Sequence, residues 1–297
     1  MSASGKDVAV VTYCFRKLHG GSQAILAQAS DGLFYVVKFN NNLQGPNLPF
    51  NECIGSELYR ACGLAGPSWK PLLLTDDFID KNHDCWIETE EGHLRPEPGL
   101  CFSSRFLGLE GIRLLEILPG TSLNRVRNCD SFWLAWLIDI CAYHADHRQA
   151  IFVEDSAGWL DAFFIDHGHL FGGPNGELRR NFETSRYLDQ RIYKNVSSLQ
   201  FLNFQKVVLG LDADQLWRKI RTLPEEWKTP SALDGFAHCL NCLSMSTLLQ
   251  NILDTMIDSM QKADKRANEK THFRRKPSVS ILYPRVQDSG LDRCFVA

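Results

Sequence analysis

The fold of this chain is decided by one stretch of sequence, SFWLAWLIDICAYHADHRQAIF, residues 131–152. Its first half, residues 131–142, is apolar nearly all round, which predicts a helix buried in the middle of a lobe. A polar loop follows this helix directly, and packing does not explain such a loop at that position. We therefore interpret it as a functional loop, in which Asp146 accepts a proton from an attacking hydroxyl or orients that hydroxyl.

A second motif, FFIDHGHLFGG at residues 163–173, lies just downstream. Two strand-like runs, 150–153 and 160–165, flank a turn at 154–158, and together they predict a small β-hairpin. Asp166 ends the second run and is followed closely by glycine, a position from which a carboxylate can bind Mg²⁺ and bridge it to phosphate oxygens. The alternative is an ordinary turn with exposed histidines.

Upstream of this region the sequence is rich in strand patterns. β-Branched and aromatic clusters at 8–14, 24–29 and 33–39 are separated by glycine-bearing turns, which predicts an antiparallel meander. Apolar residues then recur at helical spacing over 51–62, before the helix-terminating Gly63. Further strand candidates follow at 69–74, 85–88 and 101–107.

Three features of this β-rich part could contact a phosphate. Gly20, Gly21 and Ser22 form a turn where backbone N–H groups can approach phosphate oxygens, although a plain Gly-Gly hairpin turn is the alternative. Lys38 ends a strand and points either into a cleft towards a polyphosphate or from the sheet edge into solvent. Glu52 begins the next helix, where the helix dipole alone favours a carboxylate, but it could also hold Lys38 in an ion pair.

The remainder of the chain is helical in pattern, with candidate helices at 201–209, 213–221 and 233–260, the last of them in two pieces. We therefore expect an α+β fold of two lobes with a cleft between them. The expected divisions are a β-rich N-lobe of residues 1–110, a mainly helical C-lobe of residues 111–265 and a flexible tail of residues 266–297.

Composition narrows the classes of function. The chain has 297 residues, with 32 Lys and Arg against 35 Asp and Glu and a formal net charge of −3. A nucleic-acid backbone or an anionic membrane as main partner would require a concentrated positive field, so we expect neither. The ten cysteines are scattered through a chain long enough to fold without disulfides, and the sequence shows neither an export signal nor a membrane span. We therefore predict a cytoplasmic protein.

The features occur in the order found in protein-kinase-like phosphotransferases: glycine turn, strand lysine, helix glutamate, loop aspartate and strand-end aspartate. Over residues 10–175 the chain resembles the HipA-like kinases. The resemblance rests on VVKFN (36–40), the Asn51-Glu52 pair in a helix that leads to CGLAGP (62–67), HADHRQ (144–149) and FIDHGHLFGGP (164–174). It implies a protein-kinase-like fold in which a hairpin carries the catalytic and metal-binding aspartates.

The resemblance also implies ATP and Mg²⁺ as cofactors, with the γ-phosphoryl group passing to a hydroxyl. It assigns Lys38 to the α- and β-phosphates, with Glu52 as the residue that anchors the lysine and the glycine turn as a cover. Asp146 becomes the catalytic aspartate and Asp166 the principal metal ligand. A protein Ser or Thr is the acceptor that the family implies, and a small-molecule alcohol is equally compatible with the chemistry.

One position departs from the family pattern. HipA-like kinases carry an asparagine a few residues after the catalytic aspartate as a second metal ligand, whereas here Gln149 is the only amide in a shorter loop. Gln149 is therefore the candidate second ligand, and a pseudokinase that binds nucleotide without turnover is an alternative. A metal-dependent hydrolase is another, because Asp146 and Asp166 are accompanied by ligand types that suit Zn²⁺, Mn²⁺ or Fe²⁺, namely His144, His147, His167 and His169.

Overall fold

The computed structural model describes residues 8–108, 112–193 and 197–273, which form two lobes. The first lobe is built on five strands: β1 (Val11–Lys17), β2 (Ile25–Ala29), β3 (Phe34–Lys38), β4 (Trp69–Leu74) and, after two short strands, β7 (Gly99–Arg105). They form one antiparallel sheet in the order β1-β2-β3-β7-β4. A helix, α2 (Asp76–Lys81), and a hairpin of β5 (Ile87–Thr89) and β6 (Gly92–Leu94) complete this lobe.

Helix α1 (Leu48–Ala61) ties the two lobes together, because its buried apolar residues belong to the core of the second lobe, while the sheet has a separate core. The helix begins three residues before the predicted start, since Pro49 lies in the first turn, where its missing N–H is not needed. Its end is as predicted. Gly63 has a φ of 77°, and the N–H of Leu64 donates to the carbonyl oxygen of Tyr59.

The second lobe surrounds helix α3 (Ser131–Cys141), which is buried from Phe132 to Cys141 as its apolar sequence predicts. Beside it lies a sheet in the order β10-β9-β8, formed by β8 (Arg113–Leu115), β9 (Gln149–Glu154) and β10 (Leu160–Ile165). Strands β9 and β10 are the predicted hairpin. The remaining helices are α4 (Ser198–Leu209), α5 (Ala213–Arg221), α6 (Pro230–Ser244) and α7 (Ser246–Phe273).

Three boundaries differ from the sequence-based expectation or lie beyond the described part. Strand β1 begins at Val11, later than the predicted 8–14, because Val10 forms only an isolated bridge with Leu73 and the pairing with β2 starts at Val11. Helix α7 continues to Phe273, so the first residues of the expected tail at 266–297 are helical, whereas residues 274–297 lie outside the described residues. The expected lobe boundary at 110 also lies outside them.

Nine of the ten cysteines lie in the described ranges, where all nine are free thiols and eight are buried. The tenth, Cys294, lies outside the described residues. Within the same ranges, no helix combines the length and the apolar character that crossing a membrane requires.

Candidate functional site

A cleft of about 740 Å³ lies between the two lobes. One wall is the sheet of the first lobe, and the other is formed by the α3–β9 loop, the end of β10 and a segment near residue 188. The cleft is lined by most of the residues that the sequence predicted for a site: Ser22, Lys38, Glu52, Asp146, Gln149 and Asp166. Residues from five separate parts of the chain therefore share one space.

Lys38, at the end of β3, is the centre of this site. Its Nζ contacts a carboxylate oxygen of Glu52 from α1 and lies 2.9 Å from Oδ1 of Asp166, which follows β10. Lys38 is only 7% exposed and Glu52 only 2%, so water screens these charges little. The predicted contact between Lys38 and Glu52 is thus present, and Asp166 adds a second carboxylate to it.

Burial and mutual contact set the charges of the three groups. Burial disfavours the ammonium form of Lys38, but the carboxylates of Asp166 and Glu52 outweigh burial and raise the pKa of Lys38 above its usual range. Burial also opposes ionisation of Asp166, yet the ammonium of Lys38 holds the pKa of that carboxyl well below its usual range. At Glu52 burial outweighs Lys38 and raises the pKa. Lys38 and Asp166 are therefore both charged at neutral pH.

Helix α1 also fixes the backbone that carries Asp166, which has a left-handed conformation with a φ of 57°. The N–H of His167 donates to Oε2 of Glu52 at 3.1 Å. The side-chain amide of Asn51 donates to the carbonyl oxygen of Gly168 at 2.8 Å and to two later carbonyl oxygens of the same loop. The neighbouring residues Asn51 and Glu52 thus both hold the loop after β10.

Gln149 lies beside Asp166 because of the β9–β10 pairing, in which Gln149 is opposite Ile165. Its Nε2 donates to Oδ2 of Asp166 at 2.9 Å. The amide and the carboxylate both offer oxygen ligands, the type that Mg²⁺ prefers, and Mg²⁺ is commonly held by one or two protein groups together with substrate phosphates. The residues present therefore fit a divalent cation that a polyphosphate would help to bind.

Asp146 lines the cleft from the loop between α3 and β9. Its Oδ1 accepts a hydrogen bond from the N–H of His147 at 2.7 Å. The loop is anchored on both sides of this residue, since the N–H of Ala145 donates to the carbonyl oxygen of His169 at 2.9 Å and the buried Arg148 follows two positions later. A carboxylate on an anchored loop at the cleft has the placement that a general base needs.

The glycine turn after β1 forms less of the cleft wall than predicted. Ser22 lines the cleft, whereas Gly20 and Gly21 are not among its lining residues. The turn is held by the β3–α1 connection, where the amide of Asn42 donates to the carbonyl oxygen of Ser22 at 2.6 Å. Gly21 lies so close to Gln44 that a Cβ atom added to Gly21 would be 3.0 Å from Nε2 of Gln44. Gly20 has a φ of 125°, which few other residues adopt.

Sequence reasoning missed a buried network behind the site. Arg148 donates from Nε and Nη2 to the carboxylate of Asp139 at 2.9 and 2.8 Å, and its guanidinium lies over the ring of Tyr59. From Nη1 it also donates to the carbonyl oxygens of Ile165 and Asp166 at 2.9 and 3.1 Å. Arg148 therefore connects the loop of the catalytic candidate with the backbone of the metal-ligand candidate.

The signal for this network was Asp139, the one charged residue in an otherwise apolar helix. The side chain of Asp139 is fully buried, and the side chain of Arg148 is almost fully buried. Because fully buried carboxylates are almost always paired, a lone Asp in such a helix predicts a buried cation elsewhere in the chain. The pattern alone does not say which cation, and several arginines were available.

The four histidines of the two motifs have separate surroundings. His144 and His167 are buried, and burial followed by the charge of Arg148 lowers the pKa of each well below its usual range, so both are neutral. His147 and His169 contact different groups. In the described part of the chain, no three His, Cys, Asp or Glu residues are grouped so as to hold a metal ion. This arrangement does not support the hydrolase alternative.

No protein-family model matches this sequence, and no curated protein matches it either. Solved structures do resemble it. The proinflammatory kinase CtkA of Helicobacter pylori matches with a TM-score of 0.52 at 12% identity, over 82% of this chain and 97% of that one. The Golgi casein kinase with Mn/ADP bound matches with a TM-score of 0.50 at 13% identity, over 83% of this chain and 73% of that one.

These likenesses concern the fold. At such low identity they show that the chain has the α+β, two-lobed architecture of protein kinases, which confirms the predicted fold class. The function has to be argued from the site itself.

Proposed function

We propose that this protein is an ATP-dependent phosphotransferase that moves the γ-phosphoryl group of ATP to a hydroxyl. The observation that carries the proposal is the buried Lys38, which contacts both Glu52 and Asp166 in the cleft that Asp146 also lines. A buried lysine held by a helix glutamate beside a strand-end aspartate is the constellation by which kinases bind nucleotide phosphates and metal.

Each group has a chemical role in this proposal. Lys38 neutralises charge on the α- and β-phosphates, while Glu52 keeps the ammonium in place. Asp166 and Gln149 would hold Mg²⁺, which when bound offsets the charge of the phosphate oxygens. Asp146 orients the acceptor hydroxyl and accepts its proton as the new bond to the γ-phosphorus forms, while the bond from that phosphorus to the oxygen bridging to the β-phosphate breaks and ADP leaves.

The structures that resemble the chain add support. The Golgi casein kinase was solved with Mn and ADP bound, and we extend nucleotide and divalent-cation binding to this chain, with ATP and Mg²⁺ as the pair in use. Membership of the HipA-like kinases rests on the sequence motifs alone. A protein Ser or Thr is the proposed acceptor, a small-molecule alcohol the other candidate, and the cytoplasm the proposed location.

The test is incubation of the purified protein with labelled ATP and Mg²⁺, followed by mass spectrometry for phosphorylated residues. We expect transfer by the wild type and a loss of about 10²- to 10⁴-fold in Asp146→Asn, because the general base is removed. Asp258→Asn, at an exposed position on α7, is the matched control and should retain full transfer. Equal transfer by the wild type and Asp146→Asn would show that Asp146 is not the catalytic aspartate.

A thermal-denaturation measurement, combined with the transfer assay, addresses the pseudokinase alternative. ADP with Mg²⁺ should raise the melting temperature of the wild type, since a ligand that binds only the native state stabilises it. Stabilisation without transfer to any residue or added alcohol would replace the enzyme with a nucleotide-binding module.

A further inference from the structure

Arg16 on β1 lines the same cleft but has no place in the proposed chemistry. Its Nε and Nη2 atoms are buried, and neither has a hydrogen-bond partner in the described part of the chain. Leaving buried donors of a charged group unpaired is costly, and it is seen mainly where a ligand or water completes the site. Arg16 therefore presents two unused donors at the cleft.

The register of the sheet places Arg16 relative to Lys38. Lys38 pairs with Phe102 on β7, and two residues earlier Val36 pairs with Ser104. Leu26 on β2 pairs with both Val36 and Arg16, so Arg16 belongs to the row of Val36. Residues two apart on a strand lie on the same face and about 7 Å from each other. Arg16 thus lies on the same side of the sheet as Lys38, displaced by one pleat repeat along the strands and by two strands, about 10 Å, across them.

The displacement has a direction. Beyond Ser104, strand β7 ends at Arg105 and the chain continues through Phe106 to Leu107, and all four residues line the cleft on the way to the second lobe. The row of Arg16 is therefore on the side of the cleft nearer to this connecting segment. If phosphates lie at Lys38, the remainder of a nucleotide extends to this side.

The acidic residues of the opposite wall do not already pair with Arg16. In the described residues none of the four acidic residues of that wall forms a salt bridge with Arg16: Asp166 is bound to Lys38 and Asp189 to Arg191, and neither Asp146 nor Glu116 is joined to Arg16. Arg16 thus has no charged partner on that wall, and its two buried, unpaired donors reach a ligand when the guanidinium turns into the cleft that the residue lines.

We propose that Arg16 binds the nucleoside part of the nucleotide, its Nε and Nη2 donating to acceptor atoms of the ribose or base. This inference rests on the proposed function, since it takes the phosphate end of the cleft from Lys38. It assigns Arg16 a role in nucleoside affinity that is separate from phosphate binding.

The experiment compares two ligands, ADP and inorganic tripolyphosphate, each with Mg²⁺, by isothermal titration calorimetry on the full chain. Charge-assisted hydrogen bonds of about 1.5–3 kcal/mol correspond to roughly 10- to 100-fold in affinity. Arg16→Met should therefore lower the affinity for ADP by that factor. Binding of tripolyphosphate should stay unchanged, because that ligand has no nucleoside. Arg221→Met on α5, away from the cleft, is the matched control and should change neither ligand.

Arg16→Gln provides a second variant that keeps side-chain donors if Arg16→Met fails to fold, and it should lose ADP affinity with the same selectivity. Equal weakening of ADP and tripolyphosphate would make Arg16 a phosphate ligand and overturn the inference. Unchanged ADP binding in both variants would also overturn it. If the wild type bound neither ligand, the proposed function itself would fail, which is a different result from a failure confined to Arg16.

Discussion

The Nζ atom of Lys38 lies 2.9 Å from Oδ1 of Asp166, although 128 residues separate the two along the chain. The contact joins the last residue of β3 in the first lobe to the residue after β10 in the second. Glu52 binds the same ammonium from α1. The two lobes therefore meet at a group of three ionisable side chains, of which Lys38 and Glu52 are buried and Asp166 is partly exposed.

Lys38→Met should destabilise the protein by about 3–5 kcal/mol, because it leaves the buried Glu52 and the partly exposed Asp166 without their cation. The double variant Lys38→Met/Glu52→Gln should recover part of that loss, since one of the two carboxylates is then neutral. Urea denaturation followed by circular dichroism measures both. Lys81→Met, which breaks an exposed i,i+4 pair with Asp77, is the control and should change stability by less than about 1 kcal/mol. A Lys38→Met protein as stable as this control would contradict the buried ion pair.

Arg148→Met should destabilise the protein by a similar amount, about 3–5 kcal/mol, because Asp139 loses its only ionic partner in the described structure. Replacing both residues, as Arg148→Met/Asp139→Leu, should restore most of the stability. Mn²⁺ binding in the presence of ADP, followed by electron paramagnetic resonance, should nevertheless stay weakened, since Arg148 also holds the carbonyl oxygens of Ile165 and Asp166. If the double variant recovered both stability and Mn²⁺ binding, Arg148 would not position the backbone of the metal site.

Gln149→Ala should weaken Mn²⁺ binding to the ADP complex on the order of 10-fold, because it removes the hydrogen bond to Oδ2 of Asp166 and an oxygen ligand candidate. The melting temperature should change little, as Gln149 is exposed. Gln215→Ala, exposed on α5, serves as the control. Metal affinity equal to that of the wild type would remove Gln149 from the proposed metal site.

His144→Phe should reduce the loss of stability on acidification. Burial, followed by the charge of Arg148, lowers the pKa of His144, so the native state keeps it neutral while the unfolded chain takes up a proton below pH about 6.5. Unfolding then binds a proton, and the free energy of unfolding falls as pH falls. Relative to the wild type, the free energy of unfolding of the variant should rise by up to about 1.4 kcal/mol for each pH unit below 6.5. Denaturation at pH 8, 6 and 5 measures this, and parallel profiles would contradict it.

Much of the architecture could be read from local patterns. The apolar run of α3 predicted a buried helix, Gly63 predicted the end of α1, and the two strand-like runs that flank the turn at 154–158 predicted the β9–β10 hairpin. Strand β8 was missed, because three residues carry no readable period and become a strand only by pairing with β9. Strand β1 was predicted three residues too early, since a cluster of β-branched residues does not show where pairing with β2 begins, which is at Val11.

The candidate site also combines residues that the sequence pointed to with contacts that only the tertiary structure shows. The sequence alone proposed Lys38, Glu52, Asp146 and Asp166, because each is a polar residue beside an apolar element, whereas Gln149 was proposed from the family resemblance, which implies an amide ligand in that loop. The Lys38–Asp166 contact, the Arg148–Asp139 pair and the unpaired donors of Arg16 depended on the tertiary structure. Chemical type and element ends are local properties of a sequence. Which charges meet depends on strand register and on the packing of α1 against both lobes, and these are set by contacts between residues far apart in the chain.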